Sequence, residues 1–482
     1  MIDPFQSAAT WLTKLESGEL SARQATEAII GRIEQIDPKI NAVVVRDFSR
    51  ARLAADAADN ARKRGETLGL LHGLPMTVKE AFDVSGLTTT WGVPEFKNNI
   101  ADRDSLVVQK LRSAGAIILG KTNIPLMLSD WQTFNDIYGT TNNPWDKARS
   151  SGGSSGGAAA ALAAGLTPLE VGSDIGASIR SPSHFCGIYG HKPSFGVVPT
   201  DGHTFPGLDI ELDLLVAGPM ARTASDLRLA MQVLAGPSRQ NVPAWHIELP
   251  ERPRQKLSDY RVAVLLAPEI CKVDIQVRDV LAKVANALNG KGAKVSEIAR
   301  PEVDFEAAHH QYLLNLRGAT GALMDDTAYA DAKENAATLD ETDWSYWAYI
   351  NRAAIQTHRE YFAVEQARQA LRDAWSAFFK DWDIVLSPIA ATTAFLHDQN
   401  LPRHERTILV DGVQESYNDQ LFWAGLATYP YLPSTVFPAG PAENGLPVGL
   451  QAIGPYLHDL ETIHFAELLE AEWGGFTPPP GF

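Results

Sequence analysis

The chain has 482 residues, and 42 Lys and Arg against 58 Asp and Glu give it a formal net charge of −16. Nucleic acids and anionic membrane surfaces both attract basic proteins, so this charge disfavours either as a partner. A hydrophobic content of 45% with 21% charged residues excludes a disordered chain and predicts a large folded core.

Cysteine content and the N-terminal residues bear on the cellular compartment. Cys186 and Cys271 are too few for a disulfide framework and suit a reducing environment. Residues Met1 to Gln6 lack the basic and apolar regions of a signal peptide. The longest run of small apolar residues, Ala158 to Leu166, is too short to span a bilayer. We therefore expect a cytoplasmic protein with no membrane partner.

The N-terminal part of the chain predicts helices, and the part after it predicts alternating strands and helices. Apolar residues recur at helical spacing from Ala25 to Ile33, after a capping-type start at Ser21. From Gly69 onward, Gly, Pro and Thr separate short apolar runs such as Ala116–Gly120. This alternation is typical of an α/β protein.

Gly, Ser and Ala dominate residues 150–202, which carry few charges. A flexible linker has a similar composition, but here Ile179, Phe185 and Tyr189 interleave with the small residues. The pattern favours a tightly packed segment in which the backbone closely approaches other groups.

Strand patterns return in the second half of the chain, around a long helical stretch. The strands are expected at 260–267, 294–298, 383–388 and 433–438, the helical stretch at 303–381 and a last helix at 460–472. We expect a central mixed, twisted β-sheet flanked by helices on both faces. The interpretation is one domain over 1–482, with N-terminal helices at 1–65, a core at 66–235, a helical insertion at 303–381 and completion of the core at 383–482.

Two formal motif matches are weak. Gly115–Thr122 fits the Walker A spacing, but its middle residues favour a buried strand that ends at Gly120, and Pro125 opposes a following helix. Gly152–Gly156 fits the G-x-S-x-G elbow of α/β-hydrolases, which needs a preceding strand that Asn142–Arg149 does not resemble. The 12 histidines show no zinc-binding spacing, so no metal and no cofactor are expected.

Several motifs, in order and over residues 8–475, resemble the amidase signature family. They are Gly73–Lys79, Gly120–Asn123, Gly152–Gly157, Gly172–Pro182, Phe185–Pro193, Asp383–Pro388 and Leu446–Gln451. Within that family the chain is similar in its motifs to nylon-oligomer hydrolases and aryl amidases. The resemblance implies the amidase signature fold, no cofactor and hydrolysis of a linear amide C–N bond through an acyl-enzyme. It also implies a small-molecule amide substrate and a monomer or homodimer.

The resemblance assigns three catalytic residues. Lys79 falls on the general base, Ser178 on the nucleophile, and Ser154 on the bridging serine that the family holds after a cis peptide bond. A serine needs such a base to attack an amide, and a lysine serves only when burial makes it neutral. From the local sequence alone, Lys79 is equally readable as a surface lysine paired with Glu80 or Asp83.

The resemblance also assigns supporting groups. The backbone amides of Ile175, Gly176, Ala177 and Ser178 fall on the oxyanion hole. Ala177 departs from the usual Gly and would be strained if its φ is positive. We interpret Ser155, Asp174 and Arg180 as structural support, the last two as a buried pair that braces the nucleophile loop.

The substrate pocket is expected along the segment before the serine loop. By the resemblance it lines the acyl side of the substrate through Met127, Leu128, Ser129 and Trp131. Met127 and Trp131 fit a protein core equally well, as do the aromatic residues at 344–361 and Phe422-Trp423. We expect a hydrophobic or aryl amide, including an anilide or carbamate.

Two other functions stay open. The first is the glutamine-hydrolysing component of a tRNA-dependent amidotransferase, its A subunit. In that protein Met-Asp-Glu-Phe usually follows Gly-Lys-Thr-Asn, whereas Ile124–Met127 stands there in this chain. The second is a binding module without catalysis, which the intact Lys79, Ser154 and Ser178 disfavour.

Overall fold

The computed structural model describes residues 2–66, 68–250 and 254–482. Met1 and Thr67, which fall in the expected N-terminal and core segments, lie outside the described residues. Within the described ranges the helices are α1 Ala8–Ser17, α2 Ala22–Ile36, α3 Phe48–Lys63, α4 Leu106–Ser113, α5 Gly156–Ala163, α6 Arg180–Cys186, α7 Ala224–Leu234, α8 Ile275–Gly290, α9 Phe305–Gly321, α10 Asp326–Thr338, α11 Tyr346–Ala354, α12 His358–Phe378, α13 Leu421–Thr428 and α14 Asp459–Trp473.

The strands fall where the Gly- and Pro-punctuated apolar runs predict them. They are β1 Val43–Arg46, β2 Pro75–Lys79, β3 Ile117–Thr122, β4 Phe134–Asn135, β5 Gly139–Thr140, β6 Leu169–Asp174, β7 Tyr189–Lys192, β8 Val216–Ala221, β9 Arg261–Val264, β10 Lys294–Ser296, β11 Ile384–Ser387, β12 Thr407–Val410, β13 Val413–Ser416, β14 Ser434–Pro441 and β15 Pro447–Ile453. The strand β3 continues to Thr122, two residues beyond the expected end at Gly120.

A mixed eight-stranded sheet forms the centre of the fold, in the order β10-β9-β11-β15-β14-β7-β8-β6. Strands β10, β9 and β11 pair in parallel, and the remaining pairs are antiparallel. Helices flank this sheet, which confirms the predicted fold class. The sheet combines strands from both halves of the sequence, and a large hydrophobic core packs around it.

The strand that carries Lys79 belongs to a separate three-stranded sheet, β1-β3-β2. Strand β2 pairs in parallel with β3, which pairs antiparallel with β1. The sequence predicts the central sheet but gives no sign of this second one, because apolar periodicity identifies strands but does not identify their partners. The small sheet packs on the large one through contacts between β2 and β6.

The expected helical insertion consists of α9 to α12, which lie between β10 and β11 along the chain. Helices α11 and α12 both pack on α9. Helix α13, which follows the insertion in sequence, also packs on α9. None of the helices in the described residues is both long enough and apolar enough to cross a membrane.

Candidate active site

Lys79 ends β2 with its side chain fully buried. Its Nζ donates to Ser154 Oγ at 2.7 Å and to Ser173 Oγ at 2.9 Å. The reading of Lys79 as a surface lysine is wrong, because burial removes it from solvent. Glu80 is also buried, and its carboxylate accepts from the backbone and hydroxyl of Thr90 instead.

Burial sets the protonation state of Lys79. Removal from water disfavours the ammonium form and lowers the pKa of Lys79 to about 7, although the charges of Asp174 and Glu170 act in the opposite direction. Burial also raises the pKa of Glu170 to about 8. Near neutral pH, a substantial fraction of Lys79 is therefore a neutral amine, the form that can accept a proton.

Ser154 follows a cis peptide bond from Gly153, on the loop that leads into α5. The loop packs so closely that side chains have no room at its two glycines. A Cβ at Gly152, whose φ is +83°, would lie 2.5 Å from Pro182 Cα. A Cβ at Gly153 would lie 2.2 Å from the Asp130 carbonyl oxygen. The Gly- and Ser-rich composition thus reflects close backbone approach, as the sequence indicates.

Ser178 lies in the loop between β6 and α6 and borders the largest apolar cavity near the serines. Its carbonyl accepts from the Ser155 amide at 3.0 Å, which ties the two serine loops together. Within the described residues no hydrogen bond joins Ser154 Oγ to Ser178 Oγ. The link from Lys79 to Ser154 is thus formed, and the link from Ser154 to Ser178 remains a proposal.

The carbonyls of the two residues Ile175 and Gly176, shortly before Ser178, are fixed by hydrogen bonds from side chains. The Ile175 carbonyl accepts from the Tyr312 hydroxyl at 3.0 Å, and the Gly176 carbonyl accepts from Trp131 Nε1 at 2.7 Å. In a trans peptide the N–H points opposite to the carbonyl, so the Gly176 N–H points away from Tyr312. The Ala177 N–H donates to Asp174 Oδ1 at 2.9 Å and is therefore already engaged.

Asp174 and Arg180 form a fully buried ion pair, with 3.0 Å between Arg180 Nη2 and Asp174 Oδ1. Arg180 also donates to Thr428 Oγ1 and to Gln451 Oε1, which connects the nucleophile loop to α13 and β15. The Arg180 charge overcomes the effect of burial and keeps the pKa of Asp174 below its usual value. Ser155 supports the same region, because its Oγ bonds the backbone of Ser173.

A cavity of about 280 Å³ opens beside Ser178. The four residues expected to line the substrate pocket, Met127, Leu128, Ser129 and Trp131, all border it. Trp131 is 3% exposed, so it packs in the core as well as facing the cavity. The far wall comes from the helical insertion, through residues Leu316, Thr320, Leu323, Met324 and Ile350.

The structure shows which of the aromatic residues at 344–361 and 422–423 are buried and which are exposed. Phe422 and Trp423 are buried in the core. Trp344 and Trp347 are largely exposed and do not line the cavity beside Ser178. The cavity wall is therefore mainly aliphatic where the insertion contributes to it.

Sequence reasoning missed Ser173 and His203, which contact the site from behind Lys79. His203 Nε2 lies 2.8 Å from Ser173 Oγ, which in turn accepts from Lys79 Nζ. His203 is buried between the rings of Phe82 and Trp91. Ser173 adjoins Asp174 in the motif, but no local signal connects His203 to a lysine 124 positions earlier.

A comparison with known protein families shows which family the chain belongs to. The family model described as Amidase matches residues 24–463. The chain belongs to the amidase signature family. It is accordingly an amidase, a hydrolase that acts on amide C–N bonds.

Curated relatives of this amidase cover almost its whole length. It is 34% identical to an indoleacetamide hydrolase of Bradyrhizobium diazoefficiens over 94% of the chain and 84% of that relative. It is 33% identical to an acylamidase of Rhodococcus erythropolis over 96% of the chain and 95% of that relative. It is also 30% identical to the A subunit of the glutamyl-tRNA(Gln) amidotransferase of Acaryochloris marina, over 96% of the chain and 98% of that relative.

Solved structures show the same fold as this amidase. A bacterial aryl acylamidase superposes with a TM-score of 0.81 at 26% identity, covering 98% of this chain and 96% of that one. A 6-aminohexanoate cyclic dimer hydrolase superposes with a TM-score of 0.78 at 25% identity, covering 99% of both chains. Both kinds of relative that the sequence motifs resemble are thus found.

Proposed function

We propose that the amidase cleaves a hydrophobic or aryl amide, including anilides and carbamates, by a Ser-cisSer-Lys acyl-enzyme mechanism. The buried contact of 2.7 Å between Lys79 Nζ and Ser154 Oγ is the observation that carries this proposal. Burial makes Lys79 partly neutral, and this contact lets the neutral amine accept a proton directly from the bridging serine, Ser154.

In the first half-reaction, neutral Lys79 accepts the Ser154 proton while Ser154 accepts the proton of Ser178. The Ser178 oxygen attacks the carbonyl carbon and forms a tetrahedral oxyanion. The amides of Ile175, Gly176 and Ser178 are the donors proposed for that oxyanion, since the Ala177 amide binds Asp174. Each such donor contributes about 3 kcal/mol to the barrier reduction.

In the second half-reaction the protons return and water replaces the amine. The Lys79 ammonium returns its proton through Ser154 to the leaving nitrogen, the C–N bond breaks and the amine departs. Water then attacks the acyl carbon of the Ser178 ester while its proton passes through Ser154 to Lys79. The bond between the acyl carbon and Ser178 Oγ breaks, the Lys79 ammonium returns the proton through Ser154 to Ser178 Oγ, and the carboxylic acid leaves. The triad is thereby restored to its starting protonation state.

The cavity beside Ser178 supports a hydrophobic substrate. Met127, Leu128, Leu316, Leu323 and Ile350 line it with apolar side chains. About 280 Å³ is the size of a small-molecule pocket. An apolar acyl or aryl group therefore fits the space that adjoins the nucleophile.

The test is turnover by the purified chain on p-nitroanilides, primary amides and aryl carbamates, with Ser178→Ala as the matched control. We expect release of p-nitroaniline from apolar anilides and at least a thousandfold loss in Ser178→Ala. Full turnover by Ser178→Ala would contradict a nucleophilic role for Ser178.

The second candidate is the glutamine-hydrolysing component of a tRNA-dependent amidotransferase, which the similarity to a glutamyl-tRNA(Gln) amidotransferase supports. That function requires partner proteins, whereas the proposed amidase acts as a monomer or homodimer in a reducing cytoplasm. Amide cleavage that appears only when the other amidotransferase components are added would favour the second candidate.

A further inference from the structure

The cavity beside Ser178 has two arginine side chains in its wall, Arg317 of α9 and Arg403. Within the described residues neither one forms an ion pair with a carboxylate. Arg317 contacts the Tyr346 hydroxyl, and its Nε is buried with no hydrogen-bond partner. Arg317 as a whole is half-buried, and a partly desolvated guanidinium without a negative partner is costly, so its retention in the wall requires an explanation.

The two guanidinium groups share one aromatic ring. The central carbon of Arg317 lies 4.9 Å from the centroid of the Tyr346 ring, and that of Arg403 lies 5.3 Å from it. Burial lowers the pKa of Arg317, and the charge of Arg403 lowers it further. The like charges are therefore close enough to repel one another.

Arg403 donates its hydrogen bonds to neutral acceptors, and the carboxylate in the same cavity wall already has other partners. Arg403 donates to the Ser129 carbonyl at 2.7 Å and to Asn418 Oδ1 at 2.9 Å. Asp130, the carboxylate of the cavity wall, is already held by Arg406 and by the Tyr417 hydroxyl. No carboxylate of the cavity wall, as far as the described residues form it, is left to neutralise the arginine pair.

Positive charge in this wall contrasts with the whole chain, whose net charge is −16. With Asp130 neutralised by Arg406, the pair Arg317 and Arg403 leaves the wall cationic. Guanidinium groups bind carboxylates through paired, charge-assisted hydrogen bonds, which are stronger than neutral ones. A carboxylate is thus the ligand group that completes this wall.

We propose that the substrate is an amide whose acyl chain ends in a carboxylate, held by Arg317 and Arg403 while Ser178 attacks the other end. This inference rests on the proposed amide hydrolysis at Ser178 and specifies its substrate class. Apolar residues of the same cavity wall, Leu316, Leu323 and Ile350, suit an aliphatic spacer.

The first experiment compares glutaryl- and adipoyl-p-nitroanilide with their uncharged methyl esters. We expect kcat/KM to be at least tenfold higher for the free carboxylates, since the esters cannot neutralise the arginine pair. In Arg317→Met that ratio should fall to near 1, and in Arg317→Lys it should stay intermediate. Arg64→Gln removes an exposed arginine charge far from the cavity and should leave the ratio unchanged.

Equal or faster turnover of the methyl esters by the wild type would overturn the carboxylate subsite while leaving amide hydrolysis intact. Failure of the wild type on both kinds of anilide would instead count against the proposed function. The subsite would also be overturned if Arg317→Met has an unchanged melting temperature and keeps the wild-type ratio of kcat/KM between free carboxylate and methyl ester.

The second experiment measures binding without turnover. Calorimetry on Ser178→Ala compares adipamate, which has one carboxylate, with uncharged adipamide. We expect Kd for adipamate to be at least tenfold lower, and the difference to vanish when Arg317→Met is added. Equal Kd values in Ser178→Ala would overturn the proposal even if no chromogenic substrate is cleaved.

Discussion

Lys79 is the residue whose chemistry depends most on its surroundings. A lysine in water stays charged below a pH of about 10 and has no lone pair to offer. At the end of β2 it is fully buried, and it bonds two serine hydroxyls. Burial alone thus converts an ordinary cation into a base that works near neutral pH.

The pH dependence of activity follows from that burial. Because neutral Lys79 is the proposed active form and burial lowers its pKa to about 7, we expect kcat/KM to rise about tenfold per pH unit below pH 7 and to level off above it. The measurement is kcat/KM for an uncharged anilide from pH 5 to pH 9. A flat profile across this range would contradict the role of Lys79 as the base.

His203 reaches Lys79 through Ser173 and is expected to position it. Burial lowers the pKa of His203 to about 3, so the ring is neutral and serves as a hydrogen-bond partner for Ser173. In His203→Phe the edge-to-face contacts with Phe82 and Trp91 are retained and the hydrogen bond to Ser173 is lost. We expect kcat to fall about tenfold with KM within twofold of wild type.

A double-mutant cycle separates positioning from a general packing effect. If His203 acts through Ser173, the double variant of His203→Phe and Ser173→Ala should lose no more kcat than either single variant. Losses that multiply would show that His203 acts by another route.

Ala177 occupies a backbone conformation that favours glycine, with φ at +70°. Ala177→Gly relieves about 1 kcal/mol of left-handed strain but loses a buried methyl and gains chain entropy on unfolding, so these effects nearly cancel. We expect its free energy of unfolding in urea to stay within about 1 kcal/mol of wild type.

Ala160→Gly is the matched control, in the buried helix α5. It loses the same methyl and the helical preference of alanine without relieving strain, so we expect a cost of about 2 kcal/mol. Equal costs for the two variants would argue that position 177 carries no strain.

At the scale of elements, Asp213 is one of the residues that attach the insertion to the rest of the fold. This carboxylate lies in the loop before β8 and accepts from Arg368 of α12 at 2.8 Å and from the Tyr361 hydroxyl at 3.2 Å. The same loop lines the cavity through Leu212 and Leu215. One carboxylate thus holds both the insertion and a wall of the pocket.

Asp213→Asn should destabilise the fold, because it leaves the buried Arg368 with a weaker partner. We expect a loss of about 2 kcal/mol in the free energy of unfolding and a raised KM. Asp209→Asn removes an exposed carboxylate of the same loop and should cost under about 0.5 kcal/mol. Similar losses for both variants would contradict the anchoring role of Asp213.

The elements themselves were largely predictable, and their pairing was not. Periodicity locates α2, α14 and β14 to within a few residues, because each buries one apolar face or a whole apolar run. The same periodicity contains nothing about which strands become neighbours. The separate sheet of β1, β2 and β3 was missed for that reason.

At the scale of the whole molecule, the serine and lysine positions were predictable from motifs, whereas the pocket was only half predictable. Met127 to Trp131 precede the serine loop by about twenty residues and lie in a recognisable motif context. Arg317 and Arg403 are separated from Ser178 by more than a hundred residues and reach it only through packing. Local patterns do not encode such distances, so the cationic wall had no signal in the sequence.

The sequence has few charged residues at 150–202, around Ser154 and Ser178. Among these, Asp174 and Arg180 neutralise one another. The far wall of the cavity differs, because Arg317 and Arg403 lack carboxylate partners within the described residues. Charge in this enzyme is thus segregated, negative overall and positive at one internal surface.

The residues proposed for catalysis are divided between two sheets, so the proposed mechanism depends on how closely the sheets pack. Lys79 ends a strand of the small sheet, while Ser178 follows an edge strand of the large one. The proposed proton path therefore requires β2 to stay docked on β6. If a condition separates these sheets by about one or two ångströms while each sheet keeps its own hydrogen bonds, we expect turnover to be lost before any secondary structure is.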